Sequence, residues 1–195
     1  MLINKIAIGI DDGHFEKGKN KNTVIVGVKF NGFNPVSAFI RKIGVDRTDA
    51  TERGIELIQS ATEGINSKDV VVFLDGVTYA GFNFIDPEEI KEKTKMEIIA
   101  IFSRKPNQDK IENALKLHFS DWEYRWEHIY KVIKNVRSIV NFRGKLYFFT
   151  TIENAKDAEF LIESYQLISK LPEPIRVAHI IAKEISFFLI KENTI

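Results

Sequence analysis

The chain has 195 residues and a formal net charge of +1, from 28 basic and 27 acidic side chains, so any basic surface for nucleic acid must be local. It has no cysteine, which excludes a disulfide framework and a thiolate zinc site and favours a reducing compartment. No segment has the roughly 18 uncharged residues of a membrane span, and the apolar start is too short for a signal peptide. We therefore expect a soluble, cytoplasmic protein without membrane contact, folded as one domain over residues 1–195.

Three strands open the predicted fold, at residues 4–10, 22–30 and 36–45, and short connections make them antiparallel. The later predicted elements are a helix from residue 49, a strand at 69–74, a helix from Pro87, a strand at 96–103, helices at 107–119 and 122–136, a candidate strand at 145–150, and helices at 154–170 and 174–190. This order, βββαβαβ followed by helices, predicts an α/β fold with a mixed five-stranded sheet flanked by helices and with additional C-terminal helices.

Charged side chains follow the strands that point the same way in this sheet, so they share one edge. They are Asp11, Asp12, Asp46, Asp49, Asp75, Arg104 and Lys105. If the first and fourth strands are neighbours, about 4.8 Å apart, Asp11 and Asp75 repel each other unless a cation lies between them. Mg²⁺ and Mn²⁺ bind such oxygen ligands and support phosphodiester chemistry.

Several of these acids also have a structural explanation, and both explanations stay open on the sequence alone. Asp12 and Asp75 each precede a glycine, as in ordinary turns. Asp49 suits the N-cap of the first helix, and Glu52 three residues later completes a capping-box pattern. Asp12 and Asp46 are assigned supporting roles behind the principal acids.

The loop after the fourth strand keeps aromatic side chains where a turn is expected. Tyr79, Phe82 and Asn83 are suited to stack on and hydrogen-bond an unpaired base. The alternative is that the two rings cover the core beside the helix from Pro87. His14, just beyond the first strand, suits a proton carrier or a phosphate contact, and an ordinary surface turn explains it equally well.

The remaining histidines and aromatic residues favour structural roles. His118 and His128 lie on helices beside tryptophans with helical packing spacing, and His179 lies on an apolar helix face. The segment FRGKLYFF at 142–149 indicates a buried late strand after a basic turn. No glycine-rich phosphate loop or dinucleotide fingerprint is present, which disfavours nucleoside-triphosphate and NAD chemistry.

Five segments together resemble a known family. They are GIDDGHF (9–15), VDRTDAT (45–51), LDGVTYAGFNFID (74–86), SRKPN (103–107) and LPEPIRVAHIIA (171–182). In this order they closely resemble the domain-of-unknown-function 99 family, an uncharacterised group known mainly from archaea. That family is similar to endonuclease V, a metal-dependent nuclease of ribonuclease H-like fold that cuts nucleic acid near inosine. The resemblance implies this fold, a Mg or Mn cofactor, and DNA or RNA as partner.

The resemblance also implies residue roles. Asp11, Asp49 and Asp75 correspond to metal ligands, with Asp49 standing where endonuclease V has a glutamate. Its catalytic lysine corresponds to Lys105 or, with one residue of slip, to Arg104, and either cation would steady the charge on the substrate phosphate. Two features depart from endonuclease V: FIRKIGVDRTD replaces its Pro-Tyr-Ile-Pro wedge, and its late histidine has no counterpart near Glu153.

The sequence therefore predicts a divalent-metal-dependent nuclease or phosphodiesterase. The alternative is a catalytically inactive nucleic-acid-binding or regulatory protein on the same scaffold, which the missing wedge and the aspartate at position 49 both favour. A third hypothesis is a protein-interaction domain built on the aromatic helix at 122–136. The pattern does not define the oligomeric state.

Overall fold

The computed structural model describes residues 5–195, which form nine β-strands and six α-helices. The strands are β1 (Ile6–Asp12), β2 (Asn22–Asn31), β3 (Asn34–Gly44), β4 (Val70–Asp75), β5 (Thr78–Tyr79), β6 (Asn83–Phe84), β7 (Glu97–Phe102), β8 (Arg137–Asn141) and β9 (Gly144–Thr150). The helices are α1 (Ala50–Ala61), α2 (Pro87–Thr94), α3 (Gln108–His118), α4 (Trp122–Ile133), α5 (Ala155–Tyr165) and α6 (Glu173–Lys191). Within the same range, no helix is long and apolar enough to cross a bilayer.

A mixed sheet forms the centre of the described chain, with the strand order β3-β2-β1-β4-β7-β9-β8. Strands β1, β4 and β7 are parallel neighbours, and β2 is antiparallel to both β1 and β3. The predicted meander and the predicted direction of the parallel strands are both confirmed. The ends of β1, β3, β4 and β7 therefore share one edge, as expected from the sequence.

The sheet is wider than predicted, with seven strands instead of five across residues 5–195. The candidate strand near 145–150 is present as β9, antiparallel to β7. Strand β8 was not predicted, because the sequence pattern continues the predicted helix to residue 136 and β8 itself has only five residues. The first predicted strand includes residue 4, which lies outside the described range.

Alternation along the strands assigns their side chains to two faces of the sheet. Ala7 of β1 and Phe73 of β4 belong to the buried cluster that includes α6, whereas Ile8 belongs to the cluster that includes α1. Residues two positions apart share a face, so Asp11 and Asp75 lie on the α6 face. Helices α1 and α6 thus cover opposite sides of the parallel strands.

Helix α6 lies closer to β1 than a side chain between them would allow. A Cβ on Gly9 would lie 2.0 Å from the backbone carbonyl carbon of Pro174 and 2.5 Å from the nitrogen of Ile175. A Cβ on Gly13 would lie 2.6 Å from Cβ of Ser186. Because glycine has no Cβ, the helix backbone packs directly on the strand at both ends of the contact.

We expect Gly9→Ala to destabilise the protein by more than about 3 kcal/mol, lowering the melting temperature by roughly 6–12 °C, because the new methyl group meets backbone atoms that cannot move alone. Thermal unfolding measures this change. Gly54→Ala is the matched control, since its Cβ would meet only Ile85 Cδ1 at 3.5 Å. Alanine is favoured over glycine inside α1 by about 0.5–1 kcal/mol. Equal melting temperatures for the two variants would contradict this account.

Candidate active site

Asp11, Asp75 and His179 meet at the end of the parallel strands. Ile10 pairs with Leu74 across β1 and β4, which places the two following aspartates side by side. His179 reaches them from α6, and one oxygen of each carboxylate and one imidazole nitrogen all lie within 4.8 Å of one another. The cleft around them has a volume of about 410 Å³ and is lined by Asp11, Asp12, Gly13, His14, Asp75, His179 and Lys183.

Asp11 and His179 form a pair in which one group is buried and the other faces the cleft. His179 Nδ1 lies 2.7 Å from Oδ2 of Asp11. Asp11 is only 4% exposed, whereas the His179 side chain is 58% exposed. The other carboxylate oxygen of Asp11 accepts a hydrogen bond from the backbone N–H of Asp12 at 2.8 Å. The buried carboxylate therefore orients an imidazole whose second nitrogen remains free to exchange a proton.

The protein provides too little positive charge and too few hydrogen-bond donors to stabilise the ionised carboxylates at this site. Burial, reinforced by the charges of Asp75 and Asp12, raises the pKa of Asp11 to about 9. Burial also raises the pKa of Asp75 to about 6, although the nearby His179 acts in the opposite direction. The pKa of Asp12 is raised as well, again mainly by burial. A bound cation would relieve this cost, because it stabilises the ionised carboxylates.

The donor set fits a divalent cation. The two converging carboxylates provide the oxygen ligands that Mg²⁺ and Mn²⁺ prefer, and the imidazole of His179, whose Nδ1 lies against Asp11, is placed next to them. Strand ends hold the two acids, and the first turns of α6 hold the histidine. The site is thus built on regular elements, which position ligands more firmly than loops do.

Asp12 and Asp46 hold the loop that follows β4. The backbone N–H of Ala80 donates to Oδ2 of Asp12 at 2.7 Å, and that of Phe82 donates to Oδ1 of Asp46 at 2.9 Å. The N–H of Asp46 donates in turn to the carbonyl of Ala80 at 2.8 Å. These bonds join the loop after β4 to Asp12 at the end of β1 and to Asp46 after β3, and the supporting role expected for the two acids stays a prediction.

Asp49 does not join Asp11 and Asp75, which corrects its expected place among the ligands. It precedes α1, which packs on the opposite face of the sheet. Its carboxylate accepts hydrogen bonds from Asn83 Nδ2 at 2.6 Å and from the Gly44 N–H at 3.2 Å. It does not cap α1 with its side chain either. Asn83 Oδ1 takes that role by accepting from the Ala50 N–H at 2.9 Å.

The aromatic loop is part of the core, which corrects the base-binding roles of Tyr79 and Asn83. Both residues have zero exposure, so neither can contact a base. The Tyr79 hydroxyl donates to the carbonyl of Ile10 at 3.4 Å, and burial raises its pKa well above the usual value. Phe82 is half-buried and packs edge-on against Phe119. The core-covering alternative therefore holds for Tyr79, whereas the base contact expected of the half-buried Phe82 stays a prediction.

The two cations after β7 do not line the cleft around Asp11. Arg104 and Lys105 are exposed, and Lys105 borders a separate depression formed by residues 105–109. The cation that does line the cleft is Lys183 of α6. His14 also lines it, which keeps its predicted role open.

Sequence reasoning missed His179, which it assigned to structure. The neighbours Ala178 and Ile180 are apolar, so the segment looks like a buried helix face. The sequence signal for a functional role was the position of His179 at the border of the buried side of the helix. Ala178 next to it is buried, whereas Lys183, one turn later on the same side as His179, is exposed. Glu153, near which the late histidine of endonuclease V has no counterpart, borders a different cleft, beside the start of β7.

We expect Asp11→Asn to stabilise the metal-free protein by about 1 kcal/mol or more at pH 8, or roughly 2–4 °C in melting temperature. The pKa of Asp11 is raised in the folded protein, so the folded state binds more protons than the unfolded state between about pH 4 and pH 9. Stability must then fall as pH rises through that window, and the asparagine removes this loss. Thermal unfolding in chelator at pH 5, 7 and 8 measures the difference between variant and native chain. The exposed Asp69→Asn is the control, and a difference that shrinks with rising pH would contradict the assignment.

Known proteins are similar to this chain in sequence or in fold. A UPF0215 protein from Thermococcus sibiricus is 39% identical over 183 residues, which cover 91% of this chain and 90% of the relative. A crystal structure of a protein of unknown function from Archaeoglobus fulgidus is similar with a TM-score of 0.76 and 25% identity, covering 93% of this chain and 98% of that chain.

The fold is also that of endonuclease V. The crystal structure of Ciona intestinalis endonuclease V with a 24mer DNA containing an inosine followed by a ribo-adenosine is similar with a TM-score of 0.59 and 11% identity, covering 96% of this chain and 86% of that chain. This similarity confirms the α/β, ribonuclease H-like fold expected from the sequence. Residues 5–186 match the model of the family described as Endonuclease dU, and the chain therefore belongs to that family.

Proposed function

We propose that this protein is a divalent-metal-dependent nuclease that hydrolyses a phosphodiester bond in nucleic acid. The observation that carries the proposal is the convergence of Asp11, Asp75 and His179 within 4.8 Å at the edge of the parallel strands. The endonuclease V fold and the family described as Endonuclease dU support the same reaction class. Fold alone does not determine activity, so the proposal depends on the site.

Asp11 and Asp75 would hold the ion through their carboxylate oxygens. A Mg²⁺ or Mn²⁺ ion, when bound, supplies Lewis-acid stabilisation of negative charge on the phosphate. The two residues are fixed by strand ends and covered by α6, so their oxygens are already converged before any ligand binds. The raised pKa of both carboxyls makes this the place where the protein gains most from a cation.

His179 would move the proton of the attacking water. Its Nδ1 lies against Asp11 at 2.7 Å, which fixes the ring and leaves Nε2 as the exchanging atom. Water attacks the phosphorus and gives a proton to Nε2 of His179, the bond from phosphorus to the leaving oxygen breaks, and that oxygen takes up a proton from solvent. Lys183, which lines the same cleft, would contact the phosphate in the role that the sequence assigned to Lys105 or Arg104.

The proposal predicts Mn²⁺- or Mg²⁺-dependent cleavage that requires all three groups. We expect Asp75→Asn to abolish it, and His179→Ala to lower the cleavage rate by about 10²–10⁴-fold while leaving substrate affinity largely unchanged. The substrates are labelled single- and double-stranded DNA and RNA, each unmodified, with inosine, or with deoxyuridine. Rates with and without chelator and across pH separate the ion from the proton-transfer step.

Matched variants show whether a loss of cleavage is specific to the residues of the proposed site. His118→Ala removes an exposed histidine from the end of α3 and should cleave as the native chain does. Asp49→Asn should keep cleavage within about tenfold, because that carboxylate bonds to Asn83 and Gly44 instead of joining the site. Salt-dependent binding by the native chain without cleavage of any substrate would select the non-catalytic nucleic-acid-binding alternative.

Asp49→Asn also tests the ligand set. If it abolishes cleavage as completely as Asp75→Asn while the melting temperature stays unchanged, Asp49 is a ligand in the working enzyme and the set proposed here is wrong. If it lowers stability and keeps cleavage, the hydrogen bonds to Asn83 and Gly44 explain its role.

A further inference from the structure

Three different side chains form a stripe along helix α6 that begins at the site and extends toward the C-terminus of the helix. His179, Lys183 and Phe187 recur every four residues and so lie on one side of the helix. His179 and Lys183 line the cleft, and the Lys183 ammonium lies 6.0 Å from the centre of the Phe187 ring. The stripe thus runs from the carboxylates through a cation to an aromatic ring.

The Phe187 ring is exposed and stacked on a second ring. Phe187 is 43% exposed, and its centroid lies 4.7 Å from that of His14 with an interplanar angle of 26°. His14 is itself exposed and lines the cleft. The two rings form a pair, here called the ring pair, at the mouth of the candidate active site.

Hydrogen bonds to the backbone of His14 hold the ring pair in place on its buried side. The backbone N–H of His14 donates to Oγ of Ser186 at 2.8 Å, and the Thr23 hydroxyl donates to the carbonyl of His14 at 2.9 Å. Ser186 is fully buried, and Gly13 packs directly against it. The exposed rings therefore rest on an ordered support, so little conformational freedom would be lost when a ligand stacks on them.

The geometry points to a binding position for an unpaired nucleobase, and we propose that the ring pair stacks on a base of single-stranded nucleic acid whose backbone crosses the cleft. The proposal rests on the proposed function in that the cleft must bind nucleic acid. Eight residues of helix separate His179 from Phe187, about 12 Å at 1.5 Å per residue. That is the rise of three to four stacked nucleotides at 3.4 Å each.

Charge along the stripe fits the same ligand. The Lys183 ammonium lies between the carboxylate site and the ring pair, where the phosphates between a cleaved bond and a stacked base would pass. A base inside a duplex has both faces covered by its neighbours, so only an unpaired or unstacked base can lie on the ring pair. Every base has an aromatic face, so this contact should be tolerant of sequence.

The test is equilibrium binding of a labelled single-stranded DNA of about 20 nucleotides, measured by fluorescence anisotropy in the cleavage-silent Asp75→Asn background. Phe187→Leu keeps an apolar side chain on α6 and removes the ring, and we expect it to weaken binding by about 5- to 100-fold. Phe187→Trp should bind at least as tightly as phenylalanine. Phe188→Leu is the matched control, since Phe188 is 62% exposed and points about 100° away around the helix.

DNAs that each lack one base show whether Phe187 stacks on a base or only supports the loop that carries His14. In a DNA shortened to the length of the site, so that it cannot bind in a shifted register, one abasic position should weaken binding to the Asp75→Asn protein by a similar factor, and that penalty should vanish in the protein that also carries Phe187→Leu. Equal weakening by Phe187→Leu and Phe188→Leu, or an abasic penalty that persists without the ring, would overturn the proposal. So would tight binding by Phe187→Leu.

Cleavage by proteins with native Asp75 distinguishes the two proposals. If the native chain cuts no substrate but the Phe187 effect and its abasic coupling are present, the ring pair binds a base and the nuclease proposal fails. If the native chain cuts and Phe187→Leu binds and cuts single strands equally well, the base-binding proposal fails alone.

Discussion

The contact between helix α6 and strand β1 is the constraint on which the site depends. Gly9 and Gly13 let the helix backbone approach the strand, and Asp11 lies midway between them. Two residues of a strand span about 6.6 Å, and four residues of a helix span about 6 Å, nearly the same length. Moving two residues along β1, from Gly9 to Asp11, therefore corresponds to moving four residues along α6, from Ile175 to His179. A side chain at either glycine would separate the histidine from its partner.

The charge distribution of the strand edge follows from the two faces of the sheet. Asp11 and Asp75 point toward α6, and burial raises the pKa of both, while the charge of Asp75 raises that of Asp11 further. Asp12 and Asp46 instead accept backbone hydrogen bonds from the loop after β4. Those bonds, together with the buried Tyr79, fix the loop beneath the cleft. The protein thus concentrates its unfavourable electrostatics at one place, as active sites commonly do.

Much of the fold was predictable, because long apolar strands and short connections determine the order and direction of β1 to β4. Asp11 and Asp75 were predictable as acids at the ends of apolar strands, and their meeting followed on the condition that those two strands are neighbours, as β1 and β4 are. Asp49 was misplaced because its position in sequence says nothing about which face α1 covers. His179 was missed because its contact is set by a glycine-mediated approach between segments far apart in the chain. Strand β8 is too short to show a period.

One helix connects stability and function in this protein. The buried side of α6, with Ala178, Ala182 and Ser186, packs on the sheet. The adjacent side carries the histidine of the site and the cation of the cleft. Because both sides belong to one rigid element, a shift that loosens the packing also moves the proton-transfer group relative to the carboxylates. Helix packing and site geometry therefore cannot vary independently here, and at Gly9 the close contact involves backbone atoms of Pro174 and Ile175, which cannot adjust as a side chain can.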